Sequence, residues 1–263
     1  TPPAPLSRGE LKSRCRRQPN LNLPYFDNLS MELIMNNAET LLSEEQLDFL
    51  TEMMSIGGGN AATTLSQLLN CKVDVKTPKV YVVSQHEFYK LPFDTSLPAT
   101  CLRMSLVGDF TGNMVFIIND YQRTYLTRLM EKSYLSPIPQ EMRKQGVGGI
   151  QDWYDSILKE MANIFAGTYL GVVNRFCGLN IYHSTPSIKT DTAKSIMDET
   201  SADDTIIAVW INTLVSETPA DMIFLLRFSA EFKEKLRGSI TEAMNRLGRK
   251  VKNSPLIKGA RGL

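Results

Sequence analysis

The chain repeats itself at a spacing of 108 residues, and a repeat of this length constrains the fold more than any local pattern does. Glu52 recurs as Glu160, and the apolar run MVFII at 114–118 recurs as MIFLL at 222–226. Both copies show the same order of predicted elements: a helix, an extended segment that starts at a proline, two strands joined by a polar turn, and a second helix. We therefore predict one structural unit used twice, with a constant offset between the copies.

Two hairpins set the predicted fold class. Residues 100–107 and 113–119 flank the turn GDFTG, and residues 204–215 and 221–228 flank the turn SETPA. Apolar runs joined by a short polar turn are typical of antiparallel hairpins. The runs are so continuously apolar that helices should cover at least part of both sheet faces. We predict an α+β fold in which two tandem α-β-β-(β)-α repeats, related by a pseudo-twofold axis, share one antiparallel β-sheet covered by helices.

Composition and charge divide the chain into three parts. Both ends are basic, whereas residues 27–245 hold 18 basic and 27 acidic residues, a net charge of −9. Charged ends without apolar periodicity are usually solvated. We predict a flexible basic N-terminal tail at 1–30, a domain at 31–245 and a basic C-terminal tail at 246–263.

The two repeats should occupy about 45–130 and 153–240 of that domain. Residues 131–153 hold two prolines and three glycines, and we predict that they connect the repeats.

Composition also excludes several classes of protein. With 263 residues, 43% of them hydrophobic, the chain is long enough to bury a sizeable core. No run of about 18 apolar residues could span a bilayer, and the N-terminus lacks the apolar stretch of a signal peptide. We expect a cytoplasmic protein without membrane insertion. A nucleic-acid role would rest on the basic tails alone, and we predict none.

The sequence contains no pattern typical of a metal, nucleotide or triad site. The four cysteines have no CxxC spacing, neither histidine has a recognisable catalytic setting, and the glycine-rich stretch at 55–65 lacks the lysine of a P-loop. We expect no metal and no cofactor bound by this chain, and we interpret the thiols as buried or idle. The residues concerned are Cys15, Cys71, Cys101, Cys177, His86 and His183.

A polar stripe marks the predicted helix of the second copy. Ser156, Glu160 and Asn163 lie within about 60° of one another on a helical wheel. The same stripe continues through Gly167, Gly171 and Asn174. Such a stripe can simply face water. A glycine inside a helix is unfavourable by roughly 1 kcal/mol relative to alanine, however, so we expect something to approach this face closely.

The first copy carries the same stripe with two substitutions in the trio. Asp48 stands where the second copy has Ser156, Glu52 matches Glu160, and Ser55 stands where the second copy has Asn163. The stripe continues through Gly59, Thr63 and Ser66. In both copies a proline follows this position after 22 intervening residues, at Pro78 and Pro186.

The frame Ser/Asp-x3-Glu-x2-Asn-x22-Pro resembles the active-site signature of the CheC/CheX/FliY phosphatases of bacterial chemotaxis. Residues 50–80 and 160–188 are similar to the first and second long helices of CheC and FliY with the strand that follows each. The resemblance covers roughly residues 45–240. Two repeats favour CheC or FliY over the single-site CheX, and no FliN-like domain follows, so we expect CheC to be the closest match within the family.

The resemblance implies hydrolysis of the phosphoaspartate on a phosphorylated CheY-type receiver domain. Asn163 would orient the attacking water, and Glu160 would pair with a receiver lysine. Mg²⁺ would come with the receiver domain. The missing amide at Ser55 implies one competent site, in the second copy, and one degenerate site, in the first.

A binding module is the main alternative. A CheC-like chain with one degraded site could act as a weakly active or inactive adaptor for the receptor deamidase CheD or for the flagellar switch. A phosphatase must accelerate phosphate loss from a receiver, whereas an adaptor need only form a complex.

Overall fold

A computed structural model describes residues 42–84, 98–132, 138–192, 195, 205–211, 213–215, 218–219, 222–228 and 232–248. The helices are α1 (Glu44–Leu69), α2 (Asp120–Lys132), α3 (Gln140–Lys144), α4 (Gly146–Cys177) and α5 (Phe232–Arg246). The strands are β1 (Val73–Val75), β2 (Lys79–Ser84), β3 (Pro98–Gly108), β4 (Gly112–Asn119), β5 (Ile181–His183), β6 (Ser187–Thr192), β7 (Thr205–Ile211), β8 (Thr213–Val215), β9 (Thr218–Pro219) and β10 (Met222–Phe228).

The two hairpins join edge to edge in one antiparallel sheet. Its strand order is β2-β7-β10-β4-β3-β5, and β6 pairs with β3 beside β5. The outer strand on each side comes from the opposite repeat, because β2 pairs with β7 while β6 pairs with β3. A smaller sheet, β1-β8-β9, repeats this exchange. The predicted α+β fold with a shared antiparallel sheet is confirmed, and its strand order is symmetric about the β4–β10 pair.

The pseudo-twofold axis passes through a pair of phenylalanines. Phe116 on β4 lies directly opposite Phe224 on β10, and the two positions are 108 residues apart. Their rings stack with centroids 5.0 Å apart and an interplanar angle of 15°. Both side chains are almost fully buried, so the symmetry axis is also the centre of the core.

The constant offset between the copies is wrong for one strand. Phe116 faces Leu102 on β3, whereas Phe224 faces Val209 on β7. The positions Leu102 and Val209 are 107 residues apart, because the second hairpin is one residue longer than the first. The first strand of the second hairpin is also interrupted, as β7 and β8, whereas the equivalent strand β3 is continuous. If β7 kept the 108-residue offset, it would be shifted by one residue and every side chain would face the other side of the sheet. The pairing of β7 is therefore set by which side chains must be buried.

The long helices α1 and α4 pack on one face of the sheet and run antiparallel. Phe49 contacts Phe176, and the Met53 and Cys177 sulfur atoms are 4.0 Å apart, so early residues of α1 lie beside late residues of α4. The last helix of the first repeat, α2, contacts α4 of the second repeat, and the last helix of the second repeat, α5, contacts both long helices, α1 and α4. Side chains on the opposite sheet face, such as Val115 and Leu225, are buried as well.

Three consecutive glycines in α1 have two different roles. A Cβ atom at Gly57 would lie 2.8 Å from the Tyr169 ring, and one at Gly58 would lie 3.0 Å from Val75. Gly59 has no atom within 4 Å of a Cβ position. Gly57 therefore allows α1 and α4 to approach, Gly58 leaves room for the Val75 side chain of β1 and the Tyr169 hydroxyl, and Gly59 alone of the three belongs to the open face. Tyr169 is fully buried at this crossing, and burial raises the pKa of its hydroxyl well above the ordinary value.

The connection between the repeats is shorter than predicted. Residues 140–144 form α3, and α4 begins at Gly146, so most of the stretch predicted as a connection is helical. A Cβ at Gly149 would lie 2.4 Å from the Met142 carbonyl oxygen, so glycine lets the two helices meet at a close corner. The prolines that suggested a loop, Pro137 and Pro139, come before α3.

The remaining domain boundaries stay predictions, and both predicted tails lie almost wholly outside the described residues. No helix in the part of the chain that the structure describes combines the length and apolarity needed to cross a membrane.

Gly57→Ala and Gly59→Ala form a matched test of the helix crossing. We expect Gly57→Ala to lower the free energy of unfolding by about 1–3 kcal/mol, because its methyl group would displace the buried Tyr169 ring. Gly59→Ala should raise it by up to about 1 kcal/mol, because the site is open and alanine favours the helix. Urea unfolding measures both. Equal effects would contradict the assigned roles.

Candidate functional site

The second-copy stripe occupies the outer face of α4. Ser156 and Glu160 are exposed, and Asn163 is half-buried on the next turn. The opposite face of the helix anchors it, because Met161, Phe165 and other apolar side chains there are buried in the core. Residues three apart on a helix have Cβ atoms about 5–6 Å apart, so the carboxylate and the amide can act on one bound partner.

The polar groups of Asn163 and Ser156 differ in their hydrogen bonding. The Asn163 amide makes no hydrogen bond to any residue that the structure describes, and its side chain is only partly exposed. The Ser156 hydroxyl, by contrast, donates to the Trp153 carbonyl at 2.7 Å and is turned back onto its own helix. Of the predicted trio, Glu160 and Asn163 present polar groups outwards.

Open glycines lie beyond these two residues. A Cβ at Gly167 or Gly171 would meet no atom within 4 Å, and both residues are exposed. Packing within the described residues therefore does not require glycine at either position. A helix backbone without side chains lets another backbone approach closely, as the stripe predicts.

The first-copy stripe on α1 lies on an equivalent face but differs in its chemistry. Asp48 and Glu52 are exposed. The Ser55 hydroxyl donates to the Thr51 carbonyl at 2.9 Å, so the only polar group that replaces the amide is engaged with the helix backbone. The start of α1 is well defined, because Ser43 and Gln46 form a reciprocal capping box.

The last polar residue of each stripe has a structural role. On α4 the Asn174 amide donates to the Ile181 carbonyl and its oxygen accepts from the Ile181 N–H, at 2.8 and 3.0 Å. On α1 the Ser66 hydroxyl accepts from the Val73 N–H at 3.0 Å. Both side chains fix the strand that follows the helix. The α4 stripe therefore ends at a residue whose amide is engaged within the fold.

Pro78 and Pro186 occupy equivalent places at the start of β2 and β6. Both are buried, which favours a structural role. A proline immediately before a strand fixes the backbone path and needs no hydrogen-bond partner for its nitrogen. We interpret their constant spacing from the stripe as a requirement of the fold that both copies share.

Among the described residues, no three His, Cys, Asp or Glu side chains lie close enough together to hold a metal ion. His183 is half-buried, and its Nδ1 atom lies 3.1 Å from the Ser184 carbonyl. Burial raises the pKa of the Cys177 thiol to about 11, although the nearby Arg246 lowers it somewhat. His86 and Cys15 lie outside the described residues.

One ion pair beside the site was missed by sequence analysis. Arg123 on α2 pairs with Asp155, the residue before Ser156, at 2.8 Å. The position equivalent to Asp155 in the first copy is Leu47. The sequence does show that Asp155 is charged where the other copy has an apolar residue. That difference does not identify Arg123 as the partner of Asp155.

Two asparagines of α4 give a matched test of these assignments. Asn174→Ala should lower the free energy of unfolding by about 1–3 kcal/mol, because the Ile181 N–H and carbonyl lose their partners. Asn163→Ala should change it by less than about 0.5 kcal/mol, because its amide has no hydrogen bond to a described residue. Thermal or urea unfolding of both variants decides. A large loss with Asn163→Ala would show that this amide supports the fold.

Comparison with known proteins finds relatives in sequence and in fold. The sequence profile of the CheC-like family matches residues 45–82. The chain is 29% identical to the CheY-P phosphatase CheC of Bacillus subtilis over 158 residues, which are 60% of this chain and 72% of that protein. It is also 30% identical to the flagellar motor switch phosphatase FliY of Bacillus subtilis over 89 residues, which are 34% of this chain and 23% of FliY.

The fold is similar to the X-ray structure of Thermotoga maritima FliY, with a TM-score of 0.55 and 17% identity. That likeness covers 77% of this chain and 98% of the FliY chain. The sequence matches and this shared fold confirm the resemblance to the CheC/CheX/FliY family that the motif predicts.

Proposed function

We propose that this chain hydrolyses the phosphoaspartate of a CheY-type response regulator at a single competent site on α4. The observation that carries the proposal is the contrast between the two copies. Asn163 has an amide without a hydrogen bond to any described residue, whereas the Ser55 hydroxyl is bound to Thr51. The similarity to CheY-P phosphatases supplies the substrate class.

The two polar residues on the α4 face suit this reaction. An acyl phosphate is already reactive, so a partner mainly has to hold water in line with the phosphorus–oxygen bond that breaks. The Asn163 amide can donate and accept hydrogen bonds, which suits a group that orients water. Glu160 can pair with a lysine beside the receiver's phosphorylation site and hold the helix there.

The remaining chemistry belongs to the substrate. The receiver domain supplies the phosphoaspartate and the Mg²⁺ that neutralises its oxygens, so we propose that this chain binds no cofactor of its own. Gly167 would allow the receiver backbone to approach α4 at the site.

The α1 face is, on this proposal, the degenerate site. Asp48 and Glu52 provide negative charge, but Ser55 is shorter than asparagine and its hydroxyl is engaged with Thr51. A side chain that must first break a hydrogen bond to its own helix is poorly organised to hold water.

Removal of the amide tests the proposed catalytic group. We expect Asn163→Ala to reduce the accelerated dephosphorylation of a phosphorylated CheY-type receiver about 100-fold, because the water loses its orienting partner. Phosphate release in the presence of Mg²⁺ measures the effect. The matched control is Asn245→Ala, an exposed asparagine on α5 that should retain full activity. Full activity of Asn163→Ala would refute the assignment.

Removal of the carboxylate tests the docking role. We expect Glu160→Ala to weaken receiver affinity about tenfold and to alter turnover less, since one charge-assisted contact is lost. The dependence of rate on receiver concentration separates the two effects. A loss confined to turnover would assign Glu160 to the chemical step instead.

Restoring the missing amide tests the degenerate copy. Ser55→Asn should add activity, at most about doubling the rate of the unaltered protein if both faces become equal. If the unaltered protein accelerates hydrolysis of no cognate receiver, the phosphatase proposal fails. The adaptor hypothesis, with CheD or the flagellar switch as partner, would then be tested by complex formation.

A further inference from the structure

We propose that Arg123 is a positioning residue for the α4 site. By pairing with Asp155, it fixes the rotation of α4 about its own axis. This inference rests on the proposed phosphatase function and concerns the same site. Arg123 lies on α2, outside the helix that carries Glu160 and Asn163, and is not expected to touch the receiver.

The contacts of Arg123 connect three elements. Its guanidinium Nη2 atom donates to the Asp155 carboxylate at 2.8 Å, and Nη1 lies 3.5 Å from the Thr190 hydroxyl on β6. Gln151, one turn earlier on α4, donates to the same carboxylate oxygen at 2.8 Å. The arginine and aspartate side chains are 22% and 23% exposed, so the pair is partly shielded from water. Shielded, hydrogen-bonded pairs are held more firmly than exposed ones.

The other end of this connection reaches the centre of the sheet. Asn119, the last residue of β4, and the buried Gln122 exchange hydrogen bonds of 2.7 and 2.8 Å between side chains and backbone N–H groups. This reciprocal cap fixes the first turn of α2, where Arg123 lies. Tyr125 also donates to the Val215 carbonyl at 2.7 Å, which joins α2 to the other repeat. Arg123 is thus anchored to the strand that carries Phe116.

The position of Asp155 makes rotation of α4 important for the site. Asp155 precedes Ser156 and lies five residues before Glu160, on a side of the helix that is neither the core face nor the outer face. A polar side chain ends several ångströms from its helix axis, so a rotation of about 10° would move the Asn163 amide by about 1 Å. Misplacement of that size can reduce a positioned reaction about 100-fold.

The first copy lacks this ion pair. Leu47 occupies the position of Asp155 and packs against the core. The start of α1 is joined to α5 instead through the Gln46 amide, which donates to the Thr241 hydroxyl at 2.8 Å. The charged connection is therefore found at the copy that keeps the catalytic asparagine.

The test compares Arg123→Gln, Arg123→Lys and Asp155→Asn in the whole 263-residue chain, with Arg128→Gln as the control. Arg128 is an exposed arginine on the same helix. Turnover of a phosphorylated CheY-type receiver and binding of a beryllofluoride-activated receiver are measured separately. We expect Arg123→Gln and Asp155→Asn to lower turnover about tenfold and to change binding less than about twofold. Arg123→Lys should recover most of the turnover, because lysine can still pair with Asp155.

Exchange of the two charges provides a second measurement. The double variant Arg123→Asp with Asp155→Arg should be more active than Arg123→Asp alone or Asp155→Arg alone. A general loss of stability would make the double variant worse than both. Turnover that is unchanged in Arg123→Gln, or equally reduced in Arg128→Gln, overturns the positioning role and leaves the phosphatase proposal intact. Absence of hydrolysis by the unaltered protein overturns both.

Discussion

The antiparallel pairing of β4 with β10 is the contact on which the rest of the molecule depends. It joins two hairpins that would otherwise each present an open edge, and it places Phe116 against Phe224 at the symmetry axis. Once those two strands pair, the long helices must lie on the same face of the sheet and run in opposite directions. The outer faces of both helices then point away from the sheet, where a partner can reach them.

Each long helix serves two purposes because its opposite faces meet different surroundings. The inner face of α4 packs Phe165 and Tyr169 against the sheet and α1, and the outer face carries Glu160, Asn163 and open glycines. These sets do not overlap in space. The buried contacts provide a stiff support, while the side chains that would meet a receiver contribute little to folding.

Sequence periodicity and the repeat predict much of this arrangement. The hairpins, the shared sheet and the outer position of Glu160 and Asn163 follow from turn chemistry and from the 100° spacing of helical residues. The exchange of outer strands between repeats does not follow, because β2 and β6 could pair with either hairpin by composition alone. The one-residue shift of β7 is also hidden, since apolar residues fill both faces of that strand.

The roles of single polar and small residues were harder to predict. Gly57 and Gly59 are the same residue type two positions apart, and the sequence gives no reason to treat them differently. They differ in the fold because Tyr169 lies close to Gly57 and no atom lies close to Gly59. Asn163 and Asn174 lie on the same stripe of α4, but Asn174 bonds Ile181 on β5. The position of β5 depends on how the chain folds between α4 and that strand. The partner of Arg123 is distant in sequence and is defined only by the packing of α2 on α4.

The division of each helix into two faces has an evolutionary consequence. A change at an outer position such as Ser55 leaves the stacked phenylalanines and the helix crossing untouched, so selection for a folded protein does not oppose it. A change at Phe116 or Gly57 disturbs contacts between both halves at once. Duplicated folds built around a shared centre can therefore change the chemistry of one outer face by mutational drift, while the half that carries it persists as the support for the other half.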